Sequence, residues 1–486
     1  MLFALLYAAA TLGLAVYGFN SLLYAILFIW LQFRKPPPGQ QPSENFDGEW
    51  PTVAVQLPIY NERFVVERLI ESVAALDYPA DRLSIQVLDD STDDTAALAR
   101  ARVAQYRARG VDIDYIRRPE RTGYKAGALA YGLAQTKADF VAVFDADFAP
   151  PPDFLRRAIP AFFVAPRLGM LQARWEHLNP DQNALTRAQA LGADGYFMVD
   201  QVARSSAGLL MNFNGSAGVW RRACIDDAGG WQGDTLAEDL DLSYRAQLKG
   251  WRLDYRADLA VPAELPSSIM ALKNQQFRWA TGAFQVLRKL GPQLLTARVS
   301  LLRKILGFLH IGGFFIQPLA LVTLLLSLPV VLQHGRTPLN LSGFGWLTLV
   351  PVFVGLWGQI TLRRDAWPRR MLYYPLLFCA GIGLALTNTR AMCEAFFGGG
   401  HEFRRTPKGV SVTGREGAYA LPIDWTTWGE LLLALYALAT GLLALDLAPG
   451  LAPFVFLYAL GFGCTAALAF WQNGWTFAMT NEQMSK

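Results

Sequence analysis

The chain of 486 residues is long enough for more than one domain, and 52% of its residues are hydrophobic. Charges occur throughout residues 50–265, whereas residues 1–32 and 305–472 hold long runs almost free of them. A net charge of +4 gives no support for nucleic-acid binding, and the four cysteines show neither metal-ligand spacing nor a disulfide framework. The sequence therefore predicts an integral, multi-pass membrane protein with one large soluble domain.

The N-terminal segment, residues 1–35, predicts a retained transmembrane helix. It lacks a basic start, and its apolar run is too long for a signal peptide. Arg34 and Lys35 follow this run directly, so the positive-inside tendency places the next residues in the cytoplasm. We expect a bacterial inner or plasma membrane, or a Golgi-type membrane, with the soluble domain on its cytoplasmic side.

Residues 50–265 alternate between strand and helix patterns. The strands read TVAVQLPIYNE, LSIQVLDDSTDDT, VDIDYIRRP and FVAVFDADF, and a helix pattern follows each of the first three. This order predicts an α/β domain with a doubly wound, mainly parallel sheet, which binds ligands at the carboxyl ends of its strands. Asp89 and Asp90 lie at one such end, and Asp145 and Asp147 at another.

Residues 266–304 are amphipathic and basic, with aromatic and aliphatic residues between the charges, which predicts interfacial helices. The remaining chain, 305–486, is predicted as the main transmembrane region. Its spans are expected near residues 307–333, 342–362, 428–446 and 450–472.

The segment 371–397 is long enough to cross a membrane, but short basic loops flank it on both sides. Because both loops favour the cytoplasmic face, we interpret it as an interfacial or re-entrant helix. This topology has five crossings, an external N-terminus and a cytoplasmic C-terminus.

The stretch FDADF places Asp145 and Asp147 one residue apart. On a strand they would point the same way and repel each other unless a positive group lay between them. Carboxylates are ligands that Mg²⁺ and Mn²⁺ favour, and such an ion would also neutralise a diphosphate leaving group. The alternative is a solvated strand end.

Three further stretches carry candidate site residues. Lys125 stands at a helix start, where a cation and free backbone N–H groups favour phosphate; a solvated surface lysine is the alternative. Glu238, Asp239 and Asp241 crowd another helix start, where capping alone accounts for one acid but hardly for three. The stretch NQQFRWATG lies on the basic segment, with membrane anchoring as its alternative.

These stretches occur in a fixed order: QLPIYNE (56–62), LDDS (88–91), GYKAGA (123–128), FDADF (144–148), FNGSAG (213–218), AEDLD (237–241), QQFRW (275–279) and FRRTPK (403–408). In this order the chain resembles family 2 membrane glycosyltransferases of the cellulose synthase-like kind, above all the glucomannan (mannan) synthase-like branch. The resemblance implies a GT-A-like fold for the soluble domain.

The resemblance also implies roles for individual residues. Asp239 would be the general base, with Glu238 beside it in the catalytic motif, and Asp147 would hold Mg²⁺ or Mn²⁺. Asn214 and Gly215 would lie on the acceptor side, and Trp279 would contact both acceptor and donor. The implied donor-binding residues are Tyr60, Glu62, Asp90, Lys125, Asp145, Gln275, Arg278, Trp279, Phe403, Thr406 and Lys408, and the last three resemble a gating loop at 400–416.

The sequence departs from the family pattern at two positions. Ala237 stands where the family has threonine, which removes a hydroxyl but leaves the base in place. Arg405 stands where cellulose synthases have valine. Both departures weaken any assignment to cellulose synthesis.

The implied reaction is inverting, metal-dependent transfer of hexose from a nucleotide diphosphate sugar, UDP-glucose or GDP-mannose, to a growing β-linked polysaccharide. Processive synthesis would pass the glycan through the membrane, and His310, Gln317, Trp357 and Gln359 are polar or aromatic groups for such a path or for helix packing. One alternative is a single transfer to a lipid, similar to the ceramide glucosyltransferases. Another is a transporter with a nucleotide-sensing domain.

Overall fold

The computed structural model describes residues 2–33, 48–337, 347, 349–398 and 422–484, with side chains up to residue 473. A seven-stranded sheet forms the centre of the soluble part. Its strands β1 to β7 are Val53–Ile59, Leu83–Asp89, Ile113–Ile116, Phe140–Val143, Leu168–His177, Gly218–Arg221 and Arg252–Ala263.

The strand order across the sheet is β3-β2-β1-β4-β6-β5-β7. Strand β6 runs antiparallel to both of its neighbours, and every other pair in the sheet is parallel. The predicted fold class, an α/β domain with a mainly parallel sheet, is therefore confirmed. Because β5 runs in the same direction as β1, β2 and β4, the carboxyl ends of these four strands meet at one edge.

Helices cover both faces of the sheet and continue into the apolar part of the chain. A π-turn, Tyr196–Asp200, joins α7 to α8. The helices α1 to α19 are Leu2–Gln32, Val66–Ala74, Thr95–Ala108, Tyr124–Ala134, Phe154–Ala158, Ala161–Val164, Ala184–Gly195, Gln201–Ser206, Arg222–Asp227, Glu238–Leu248, Ile269–Thr296, Leu301–Ile311, Ile316–Leu332, Val350–Leu362, Trp367–Met371, Tyr374–Gly383, Ala385–Phe397, Trp425–Leu447 and Ala452–Met484.

The core on one face of the sheet forms where β1 packs on α2. Val55 and Leu57 on β1 and Leu69 and Val73 on α2 are all fully buried in it. The spacing of the α2 residues puts them on one face of the helix. Full burial of each such side chain contributes about 1.5–3 kcal/mol, which holds the sheet edge above it in a fixed place.

Five segments among the described residues are long and apolar enough to cross a membrane, judged by length and composition: Leu2–Gln32, Leu301–Leu332, Trp367–Phe397, Trp425–Leu447 and Ala452–Asn473. This set differs from the predicted one in two places, although both number five.

The first difference concerns the predicted span 342–362, which lies partly outside the described residues. Its described residues include a helix of 13 residues, Val350–Leu362, and the crossing itself stays a prediction. The second concerns 371–397, which lies in a segment of sufficient length that is broken into α15, α16 and α17. Its interfacial or re-entrant placement stays a prediction.

Helices α7 and α8 form a layer between the sheet and the apolar helices, which hydropathy did not reveal. A Cβ added at Gly358 on α14 would come within 3.0 Å of the Gly195 Cα at the end of α7, so the two helices approach closely. Arg187 on α7 donates a hydrogen bond of 2.6 Å to the Tyr373 hydroxyl. The carboxyl edge of the sheet therefore lies against the membrane part.

Candidate active site

One cavity of about 730 Å³ runs from the carboxyl edge of the sheet into the apolar helices. Its volume is in the range of small-molecule sites. Phe403, Thr406 and Lys408 lie outside the described residues. All other residues to which the resemblance assigns a role at the site line this cavity: Tyr60, Glu62, Asp90, Lys125, Asp145, Asp147, Asn214, Gly215, Glu238, Asp239, Gln275, Arg278 and Trp279.

At one end of the cavity Asp90 forms a two-pronged ion pair. Arg118 Nε and Nη2 donate to the two oxygens of Asp90 at 2.8 and 2.6 Å, and both side chains are largely buried. Arg118 also donates to the backbone carbonyl of Tyr124 at 2.8 Å. Asp90 thereby fixes the loop that leads into Lys125. Beside it, the Arg121 guanidinium stacks on the Tyr60 ring at 3.4 Å.

The FDADF acids do not lie on a strand, which corrects the sequence interpretation. Strand β4 ends at Val143, and the acids occupy a turn in which the Phe148 N–H donates to the Asp145 carbonyl at 3.1 Å. The turn replaces the strand because the Asp145 N–H donates to the Ser216 Oγ at 2.9 Å instead of to a neighbouring strand.

Lys125 supplies the positive charge that the acid pair requires. Its Nζ lies 2.6 Å from Asp145 and 3.5 Å from Glu238, and it donates to the Gly215 carbonyl at 2.7 Å. Burial alone would lower the pKa of Lys125, but Asp145 and Glu238 outweigh burial and raise it. Burial also raises the pKa of Asp145, against the opposing effect of Lys125. The lysine therefore stays charged and holds three parts of the chain together.

Asp239 lies in the first turn of α10, against the backbone of Gly215. A Cβ added at Gly215, whose φ is +84°, would come within 2.9 Å of the Asp239 Oδ2. The other oxygen accepts a hydrogen bond from the Leu240 N–H at 2.8 Å. Burial, reinforced by repulsion from Glu238, raises the pKa of Asp239 to about 7. A carboxylate with a pKa near the working pH is suited to take a proton from a hydroxyl.

Helix α11 carries Gln275, Arg278 and Trp279 into the cavity and packs closely on the loop before Glu238. A Cβ at Gly282 would come within 2.8 Å of the Ala237 N. Gln285 Oε1 accepts a hydrogen bond from the Leu236 N–H at 2.7 Å. Glycine and glutamine thus hold the QQFRW helix and the AED motif in fixed register.

Asp241, the third acid at the start of α10, has a structural place. It is fully buried and lies 2.6 Å from Arg245 and 2.9 Å from Lys289 on α11. Since its charge is already balanced, this acid joins two helices and takes no part in the cavity wall.

The cavity wall also contains residues that the sequence analysis missed. Trp175, Glu176, His177, Gln189 and Tyr196 line it. The first three close β5, whose carboxyl end lies at the same edge as Asp145. The run LQARWEH carries that signal, but its position was visible only once β5 was known to run parallel to β4.

Glu176, His177 and Asp194 form a cluster with metal-ligand spacing, in which one ligand atom from each lies within 4.8 Å of the others. His177 Nε2 lies 3.0 Å from Asp194 Oδ1. Three arginines contact the two acids: Arg174, Arg363 and Arg370. Arg363 and Arg370 belong to the apolar part of the chain, so these ion pairs form a joint between the sheet and the apolar helices. Because the cations outnumber the acids, a divalent ion would meet net positive charge there.

At the membrane end, His310 and Gln317 line the cavity, as a path for a polar ligand requires. Gln359 instead donates a hydrogen bond of 2.7 Å to Asp194 and is fully buried between helices. Trp357 is 38% exposed on the outer surface of the helices. The four predicted path residues therefore divide into two that line the cavity and two that do not.

The chain is similar to known proteins in sequence and in fold. Residues 51–282 match the protein family described as glycosyltransferase like family 2. Glucomannan 4-beta-mannosyltransferase 2 of Arabidopsis thaliana is 41% identical over 280 residues, 56% of this chain and 52% of that protein. The probable glucomannan 4-beta-mannosyltransferase 7 of Oryza sativa subsp. japonica is 38% identical over 333 residues, 67% of this chain and 55% of that protein. The chain spans about half the length of these curated relatives.

Among solved structures, the mannosyltransferase PcManGT from Pyrobaculum calidifontis, in complex with GDP-Man and Mn²⁺, superposes with a TM-score of 0.54. It is 19% identical, and the match covers 81% of this chain and 98% of that one. This likeness shows a shared fold. Residues 51–282 form a glycosyltransferase family 2 domain, and in sequence the chain is similar to the mannan synthase-like, cellulose synthase-like members of that family.

Proposed function

We propose that this protein is an inverting glycosyltransferase that adds hexose units from a nucleotide diphosphate sugar to a β-linked glycan. One observation carries the proposal: a single cavity joins Asp90, Lys125 and Asp239 to polar groups between the apolar helices. A transporter with a nucleotide-sensing domain would not require a buried carboxylate whose pKa is raised to about 7 in the cavity wall.

In the proposed reaction, Asp239 removes the proton from the acceptor hydroxyl as the oxygen bonds to the anomeric carbon of the donor sugar. The bond from that carbon to the diphosphate breaks on the opposite face, so an α-linked donor yields a β-linked product. Gly215 allows Asp239 to occupy this position, since a side chain at residue 215 would clash with the Asp239 carboxylate.

Charge in the cavity bears on how the diphosphate is held. Lys125 and Arg278 would contact it. Eight acids line the same space, and three of them, Asp90, Glu176 and Glu264, contact arginines outside the lining. The other five still outnumber the two cations: Glu62, Asp145, Asp147, Glu238 and Asp239. An anionic donor therefore fits the site better together with a divalent ion.

Asp147 is the acid that we assign to this ion, because the family resemblance implies that role and the residue lines the cavity. A bound Mg²⁺ or Mn²⁺ would neutralise charge that develops on the leaving diphosphate. Chelation with EDTA should stop transfer, and adding back Mn²⁺ or Mg²⁺ should restore it. Full activity in EDTA would contradict the assignment.

For the donor we favour GDP-mannose over UDP-glucose, because the named relatives are glucomannan 4-beta-mannosyltransferases. For the acceptor we favour a growing glycan. His310, Gln317 and Gly381 extend the cavity between the apolar helices, where a chain end could remain bound after each transfer. The basic residues after α1 favour a cytoplasmic location for the sheet domain, the side on which Asp239 would act.

The test uses purified protein in lipid nanodiscs with GDP-mannose, GDP-glucose, UDP-glucose and UDP-galactose, followed by product sizing and linkage analysis. We expect a β-linked polymer from GDP-mannose. A product of one sugar that extracts with lipid would instead establish the single-transfer alternative. Nucleotide binding without transfer from any donor would overturn the proposed function.

A further inference from the structure

A cluster of buried polar side chains lies behind the Asn214–Gly215 loop. Gln172 on β5 is fully buried, and its Oε1 accepts a hydrogen bond from the Asn214 N–H at 2.9 Å. Its Nε2 donates to the Ser216 carbonyl at 3.0 Å. A single side chain thereby fixes the backbone on both sides of Gly215.

Tyr196 and Gln201 hold the other side of the loop. Gln201 Nε2 donates to the Tyr196 hydroxyl at 2.8 Å. That hydroxyl lies 3.2 Å from the Asn214 Oδ1 and 3.3 Å from the Asn212 Oδ1, either of which accepts its hydrogen. Gln201 is fully buried and does not line the cavity. We refer to Gln172, Tyr196 and Gln201 as the loop-backing cluster.

The loop that this cluster holds touches two groups of the proposed chemistry. The Gly215 carbonyl accepts from Lys125, and the Gly215 Cα lies where an added Cβ would be 2.9 Å from Asp239. A shift of this loop by a few tenths of an ångström would therefore displace both the Lys125 ammonium and the Asp239 carboxylate. Enzymes lose rate steeply when such groups are misplaced.

The π-turn of Tyr196–Asp200 explains how the cluster forms and links it to the apolar helices. A π-turn widens the helix by one residue, which brings Tyr196 and Gln201 to the same side. Gly195, directly before the turn, packs against Gly355 and Gly358 of α14. The position of Tyr196 thus depends on contact between the sheet domain and the membrane part.

We propose that the loop-backing cluster is a set of positioning residues that hold the Asn214–Gly215 loop in the place that sugar transfer requires. The cluster acts through the loop: Gln172 and Gln201 do not line the cavity, and the hydroxyl of Tyr196 is engaged by Gln201 and the loop asparagines. As a role in catalysis, this inference rests on the proposed function.

The test compares Tyr196→Phe with Tyr78→Phe in nanodiscs. Tyr78 is a matched control, because its hydroxyl also donates one hydrogen bond, to the Pro51 carbonyl at 2.8 Å, in the core away from the cavity. For Tyr196→Phe we expect kcat to fall about three- to tenfold, as the loss of one buried hydrogen bond implies. The affinity for GDP should stay at the wild-type value, and amide hydrogen exchange of residues 212–217 should become faster. Tyr78→Phe should match the wild type in all three measurements.

A second variant, Gln201→Leu, separates positioning from direct contact with the acceptor. It should lower kcat and speed exchange in the same way, although this side chain does not line the cavity. Unchanged exchange at residues 212–217 in Tyr196→Phe, or a kcat effect absent from Gln201→Leu, would overturn the proposal. A wild-type protein that transfers no sugar contradicts the proposed function instead, and the exchange measurement still decides whether the cluster holds the loop.

Discussion

Two groups of charged residues, one lining the cavity and one beside it, differ in how their charges balance. We call the first the cavity group: five acids, Glu62, Asp145, Asp147, Glu238 and Asp239, face two cations, Lys125 and Arg278. The second is the joint group, in which Glu176 and Asp194 face Arg174, Arg363 and Arg370. The formal charge is −3 in the cavity group and +1 in the joint group, with His177 neutral.

The difference teaches that proximity of acids alone does not mark a reactive site. Asp194 has ligand spacing with its neighbours and is fully buried, yet its partners compensate it, and hydrogen bonding to His177 lowers its pKa despite burial. Burial, reinforced by the negative charge of Glu238, raises the pKa of Asp239 to about 7. Acids that outnumber the cations around them are those that can exchange a proton or hold an ion near neutral pH.

The strongest test of the comparison removes the base. Asp239→Asn keeps the shape of the side chain but cannot accept the acceptor proton, so we expect transfer to fall about 10³-fold. Affinity for GDP, measured by calorimetry, should remain near the wild-type value. Full activity of Asp239→Asn would refute the base assignment, and loss of GDP binding would show that the residue serves the donor.

The next largest effect should come from the lysine of the cavity group. Lys125→Met removes a contact to the diphosphate and one of two cations, so we expect kcat/KM to fall about 10²-fold. Because Lys125 lowers the pKa of Asp239, its loss should move the acid limb of the pH–rate profile to higher pH. Lys249→Met, a control on an exposed lysine paired with Asp227, should change neither quantity. If the acid limb of Lys125→Met does not move, the charge of Lys125 does not set the pKa of Asp239.

The sequence could predict the cavity group because strand order and motif order place its members. Asp145 follows β4 and Lys125 lies in the first turn of α4, at ends that a parallel sheet brings to one edge, whereas Asp239 was placed by its motif alone. The partners of the joint group could not be predicted, since Arg370 lies 176 residues from Asp194 and no pattern links them. The π-turn before Gln201 and the turn at Asp145 also escaped, because tertiary hydrogen bonds decide both.

Removing an acid of the joint group should lower the stability of the protein more than it affects the chemistry of the cavity. Asp194→Ala leaves Arg370 without its buried partner, so the free energy of unfolding should fall on the order of 3 kcal/mol. The matched control is Asp226→Ala, which removes an exposed pair with Arg222 and should change stability by less than about 0.5 kcal/mol. Thermal unfolding in detergent measures both, and GDP affinity should persist in Asp194→Ala at low temperature. A variant of normal stability that cannot bind GDP would contradict the division into two groups.

The smallest expected effect is a pH shift from the residue beside the base. Asp239 acts in its deprotonated form, so the wild-type rate should be lost as the pH falls through about 7. Glu238 helps to raise that pKa by repulsion, and Glu238→Gln removes the repulsion with little change of shape. The acid limb of kcat should therefore move to lower pH, the opposite direction from Lys125→Met. The two shifts form a pair: charge that surrounds Asp239 sets its pKa only if removing an acid and removing a cation move the limb in opposite directions. If both variants move the acid limb in the same direction, access of water to the site, and not the surrounding charge, controls the pKa of Asp239. The charge difference between the two groups would then not explain their chemistry.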